Sequence, residues 1–199
     1  MQDESELRGS CHCGAVTFAV KGRPLRAVIT ALAGAAFVWL TSSSLPAVVA
    51  SHFGADGLPD GFAPRPAYVR LMLGLVVVTP LVARAVAALA GAGGGMLLNM
   101  PNKRYWLEPQ RRHETLAYIR TRLTRVADAL FLFLCYAHWL VVHANTQVPV
   151  KLSSRALTAG IALLGTFAVF TVLSLHRHFV RAPGAALEPT RPRDTHRET

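Results

Sequence analysis

Charge is what this 199-residue chain has least of. Asp, Glu, Lys and Arg together make up 16% of it, against about 25% in a typical soluble domain. Cysteine is nearly missing too. Three residues form an odd set with no paired spacing, which excludes an oxidised disulfide framework. There is no Ser-His-Asp order with supporting context, no phosphate loop and no dinucleotide fingerprint. The common hydrolase, kinase and dehydrogenase readings therefore have nothing to stand on. No nucleic-acid-binding motif accompanies the net charge of +10, so that charge needs another explanation.

What the chain has instead is apolar length, with 52% hydrophobic residues. A helix crossing about 30 Å of hydrocarbon needs roughly 20 mostly apolar residues. Four stretches qualify: 27–50, 69–91, 126–144 and 156–175, the last without a single charge. A soluble bundle with four such helices would lack the polar surface to coat itself. Pro80 is expected to kink the second span. Val48-Val49-Ala50 resembles a leader cleavage site, but Asp3, Glu4 and Glu6 precede it. A leader begins short and basic, so an uncleaved span is expected. The fold class is an all-α membrane protein with four transmembrane helices and a short N-terminal β-like segment.

The basic residues set an orientation. Arg8, Lys21, Arg23 and Arg26 precede the first span. Lys103, Arg104, Arg111, Arg112, Arg120, Arg122 and Arg125 lie between the second and third, and Arg177, Arg181, Arg191, Arg193 and Arg197 follow the fourth. The opposite side has only Arg65, Arg70, Lys151 and Arg155. Both termini are expected in the cytoplasm, with the basic residues against anionic headgroups. The partners expected are the lipid bilayer and a peptide, protein or second copy of the chain, with no nucleic acid.

Four sets of side chains could carry chemistry. His52, Asp56 and Asp60 recur every four residues in a segment rich in Gly and Pro. Converging on a folded loop, they would suit a divalent cation or a basic peptide. The alternative is a turn scaffold, with Asp56-Gly57 and Asp60-Gly61 as turn dipeptides. Arg84 and Asp128 lie at similar depth in spans two and three, so an intramembrane ion pair is expected, with inward snorkelling of Arg84 as the alternative. His138 and His143, five residues apart, face different ways on a helix and read as separate polar contacts. Cys11 and Cys13 have a metal-ligand spacing, making zinc the one cofactor to consider, in an incomplete site. Between spans two and three, QRRHETLAYIRTRL reads as an interfacial helix with Pro109 in its first turn.

Two resemblances follow from these motifs. LP-x-x-V-A-S-HF with D-G-x-P-D-G-F, and then NMPNKRYWLEPQRRHET at Asn99–Thr115, resemble a bacterial membrane domain family of largely unknown function. That family includes immunity proteins against a sporulation-delaying toxin. The resemblance covers roughly residues 28–175. It implies a multi-pass protein of the bacterial cytoplasmic membrane with no defined reaction. LRGSCHCGAVTFAVKGRP, residues 7–24, resembles the opening of the glutathione-dependent formaldehyde-activating enzymes, a zinc-binding carbon–sulfur lyase family. There Cys11 and Cys13 would be metal ligands, and Val16, Phe18 and Val20 alternate as a strand does. The only further cysteine is Cys135, inside span three. The segment therefore reads as a first strand and turn whose enzyme body is absent, a fusion remnant or an upstream extension. The expected organisation is an N-terminal segment 1–26, a membrane domain 27–175 and a disordered tail 176–199. Three functions stay open: binding in or at the membrane, a zinc-dependent lyase, and a small transporter or sensor.

Overall fold

The computed structural model describes residues 6–10, 17–21, 24–92, 95 and 98–181. Strands β1 (Glu6–Ser10) and β2 (Thr17–Lys21) form an antiparallel pair with Leu7 opposite Val20. Helix α1 (Pro24–Thr41) follows. A second hairpin, β3 (Val48–Phe53) and β4 (Pro59–Pro64), leads directly into the 28-residue helix α2 (Arg65–Ala92). After the short α3 (Lys103–Trp106) come α4 (Pro109–Asn145) and α5 (Ser154–Val180). Segments of four helices are long and apolar enough to cross a membrane: Arg26–Ser44, Arg65–Val86, Pro109–Asn145 and Ser154–Val180.

The first span is shorter than its hydropathy suggests. The α-helix stops at Thr41, a single 3-10 turn covers Ser42–Ser44, and 48–50 belong to a strand. The hydroxyls explain the stop. Ser43 Oγ donates to Leu40 O at 2.7 Å and Ser44 Oγ to Thr41 O at 2.8 Å, offering the backbone an alternative to continued helix. Pro46 and β-branched Val48 and Val49 then favour extended chain. The expected interfacial helix is not a separate element. It is the first third of α4, a single 37-residue helix about 55 Å long at 1.5 Å per residue. Its start does follow the sequence, with Glu108 as N-cap and Pro in the first turn. Helix α5 continues to Val180, so the segment expected to be tail begins as helix. Residues 182–199 lie outside the described residues.

Helices α1, α2 and α4 pack as a triangle. Val38, Val76 and Phe131 are buried at its centre. Gly34 permits this, because a Cβ there would lie 2.6 Å from the Phe131 ring. Lipid tails are as apolar as these side chains, so close packing and interhelical hydrogen bonds hold the helices. Helix α5 sits outside the triangle, leaning chiefly on α4. Leu163, Phe170 and Val172 on it are exposed, as suits a helix solvated by lipid.

Candidate functional site

The hairpin β3–β4 caps one end of the helix triangle, and it is clamped there from three sides. Asn145, the last residue of α4, grips Ala50 at both backbone groups. Its Oδ1 accepts from Ala50 N at 2.9 Å and its Nδ2 donates to Ala50 O at 3.0 Å. At the root, Arg65 N donates to Ala47 O at 2.9 Å and the Arg65 guanidinium donates to Leu45 O at 3.1 Å. At the tip, Leu152 N donates to Gly57 O at 2.9 Å. Gly57 has φ +80°, and a Cβ there would collide with the Leu152 carbonyl, so only glycine suits the turn. Beneath the hairpin, Val49, Leu45, Tyr68 and Val142 form an apolar seat.

On this platform His52 and Asp60 come together. His52 Nδ1–H donates to Asp60 Oδ1 at 2.5 Å, with both side chains mostly exposed. Asp56 lies beside them in the turn, where its Oδ1 accepts from Leu58 N at 3.0 Å. That bond is the turn role foreseen for Asp56-Gly57. Asp60 and Gly61, by contrast, sit within β4, because Gly61 pairs opposite His52 across the hairpin. Among the described residues no group of three or more His, Cys, Asp or Glu side chains could hold a metal ion. What the hairpin presents is an acidic patch, with His52 bonded to one of its carboxylates, beside exposed Phe62 and Val48.

The structure does not join Arg84 to Asp128. Asp128 Oδ2 lies 4.0 Å from the Arg26 guanidinium at the start of α1. Similar depth places two residues at one level, but helix rotation turns Asp128 toward α1 instead of α2. Cys11 and Cys13 lie outside the described residues.

Sequence reasoning missed what His138 does. It is completely buried where α1, α2 and α4 meet. Tyr68 OH lies 3.0 Å from its Nδ1, and Thr41 Oγ1 lies 2.8 Å from its Nε2. Thr41 spends its own proton on Phe37 O at 2.7 Å. Thr41 must therefore accept from Nε2–H, and Tyr68 must donate to Nδ1. This one tautomer satisfies every donor with a neutral ring. Tyr68 stacks on the imidazole and Phe37 meets its edge. The signal available in the sequence was a histidine in a span, but its partners are 70 and 97 residues away. His143 makes a different, exposed contact, accepting from Gln147 Nε2 at 2.8 Å.

At the opposite end, the Asn99–Thr115 motif turns out to be a helix cap. Asn102, in the left-handed region at φ 53°, donates through Nδ2 to Phe179 O and Val180 O at 3.2 and 3.0 Å. Trp106 Nε1 donates to Phe179 O at 3.0 Å. The final carbonyls of α5, which a helix cannot satisfy internally, are thus met from a distant loop. His178 is sandwiched between Trp106 and Tyr118 at 5.0 and 4.4 Å.

Comparison with known proteins bears on one part of this architecture. Residues 27–78 match the family model described as a domain of unknown function, DUF1648. That stretch runs from the first turn of α1 through the clamped hairpin to the middle of α2. It includes His52, Asp60, Arg65 and Tyr68, but not the Asn99–Thr115 cap. Comparison with curated proteins and with solved structures returned no match. A domain of unknown function over residues 27–78, together with four apolar helices, fits a membrane protein of undefined biochemical role.

Proposed function

We propose that this chain is a binding protein of the bacterial cytoplasmic membrane, and that the β3–β4 hairpin is its recognition surface. The reading rests on one observation: a small hairpin with an exposed His52–Asp60 pair is fastened to the helices by Asn145, Arg65 and Leu152. A preorganised surface binds without first losing loop entropy. Its chemistry is acidic, from Asp56 and Asp60, with apolar Phe62 alongside, so the fitting partner is a basic peptide segment with apolar side chains. Basic residues concentrate at the far end of the helices, so the positive-inside rule puts this hairpin on the outer face. Capture of a secreted basic peptide there is what toxin immunity would require.

The test is sensitivity of a deletion strain to secreted cationic peptides. Complementation with the parent chain should restore resistance, and complementation with Asp56→Asn/Asp60→Asn should not, at equal membrane abundance. Equal protection by both would remove the hairpin from the function.

A further inference from the structure

A second feature lies where α1 ends and α2 begins, separate from the acidic pair on the hairpin. A groove of about 470 Å³ is lined by Trp39, Ser42, Ser43, Arg65, Pro66 and Val69. No acidic side chain lines it. The four consecutive hydroxyl residues 41–44 supply the first clue. Thr41, Ser43 and Ser44 each donate to a backbone carbonyl. Ser42 does not: its residue is 5% exposed, and its Oγ is buried without a partner. A buried hydroxyl left unpaired costs about 1–3 kcal/mol, so a position that keeps one asks for a ligand.

The other polar groups around the groove are donors as well. Arg65 uses one guanidinium nitrogen on Leu45 O. No carboxylate pairs with it among the described residues. The Trp39 indole N–H has no acceptor among them either, and Trp39 is 69% exposed. Arg65 and Pro66 also open a 28-residue helix, whose N-terminus carries a partial positive charge. Pro66 and Val69 give the groove an apolar wall. Candidate spans end at Ser44 and begin again at Arg65, so the groove lies at the membrane boundary.

We propose that this groove binds a phosphate group, held by the Arg65 guanidinium at the N-terminus of α2, with the unpartnered Ser42 hydroxyl in the groove wall rotating about χ1 to join it. Arginine's planar fork matches phosphate oxygens two at a time. The group could arrive on an anionic glycerophospholipid, with acyl chains along the exposed faces of α1 and α2, or as free phosphate. Both present the same oxygens, and the experiment separates them.

The full chain is placed in phosphatidylcholine nanodiscs doped with phosphatidylglycerol, and retained lipid is read by native mass spectrometry. A parallel arm titrates inorganic phosphate against the chain in phosphatidylcholine alone. Phosphatidylglycerol retention should fall about tenfold for Arg65→Gln, less for Arg65→Lys, and measurably for Ser42→Ala. Lys151→Gln, a basic residue of the same face outside the groove, should change nothing. Saturable inorganic phosphate binding that Arg65→Gln abolishes would support the site and assign it to free phosphate. If Arg65→Gln fails to fold, Ser42→Ala and Arg65→Lys decide alone. Equal retention by parent and variants, or an equal loss with Lys151→Gln, overturns the proposal.

Discussion

His138 illustrates how a buried polar residue can specify one helix arrangement. Its two ring nitrogens address α1 and α2 at once, and each bond runs in the only direction the donors allow. The partners are not equivalent. Thr41 keeps its bond to Phe37 O if the ring is removed, whereas Tyr68 OH has only His138 as its partner among the described residues. His138→Leu should therefore lower stability by about 2 kcal/mol, mostly through the stranded Tyr68 hydroxyl. Adding Tyr68→Phe should recover about half of that loss, because no unpaired group then remains. Denaturation of both variants in the same detergent measures the difference. No recovery in the double variant would mean that packing, not hydrogen bonding, carries the effect. The histidine was visible as a polar residue in a span. Its role was not, because a hydrogen bond between helices depends on rotation and crossing, which hydropathy does not encode.

Among the elements, α5 leans chiefly on one neighbour, α4. It lies outside the α1–α2–α4 triangle, and its last carbonyls are held by Asn102 and Trp106 from the distant connection between α2 and α4. The pair Asn102→Ala/Trp106→Phe should fray the end of α5. Hydrogen exchange over residues 176–180 should accelerate by at least about tenfold, while residues in the middle of α2 stay protected. Unchanged exchange would assign that end of the helix to its stacking on Tyr118 instead. The motif from Asn99 to Thr115 stood out in the sequence as a recognisable string. Its aromatic residues fitted a membrane interface equally well, and nothing local revealed that their acceptors were on α5. The hairpin was legible in part. Asp56-Gly57 announced a turn, and the structure has one. Asp60-Gly61 announced another and is strand, because cross-strand pairing with His52 outweighs the turn preference of the dipeptide.

For the whole molecule, the two ends are chemically distinct. One bears the clamped hairpin and the 146–153 loop, and the other bears the cap and the arginine-rich start of α4. The distribution of Lys and Arg predicts which end faces the cytoplasm. In a background with Cys11, Cys13 and Cys135 replaced by serine, Val148→Cys should react with an impermeant maleimide on intact cells. Arg104→Cys should react only after permeabilisation. Val148 is 99% exposed, so slow labelling there would reflect orientation and not burial. The reverse pattern would invert the topology and place the hairpin inside.

Span number and the membrane class followed from the sequence alone, because hydropathy is a sum over one contiguous segment and needs no knowledge of neighbours. The start of α4 at Glu108-Pro109 and the glycine turn at Gly57 were equally local. Tertiary structure alone decided that Asp128 faces Arg26 and not Arg84, that His138 joins three helices, and that Asn102 caps α5. It also decided that Ser42 is buried in the wall of a groove shared with Arg65. Each of these depends on which faces of two helices meet. That is set by the packing of Gly34, Val38, Val76 and Phe131 across the whole triangle, and no single stretch of chain carries it.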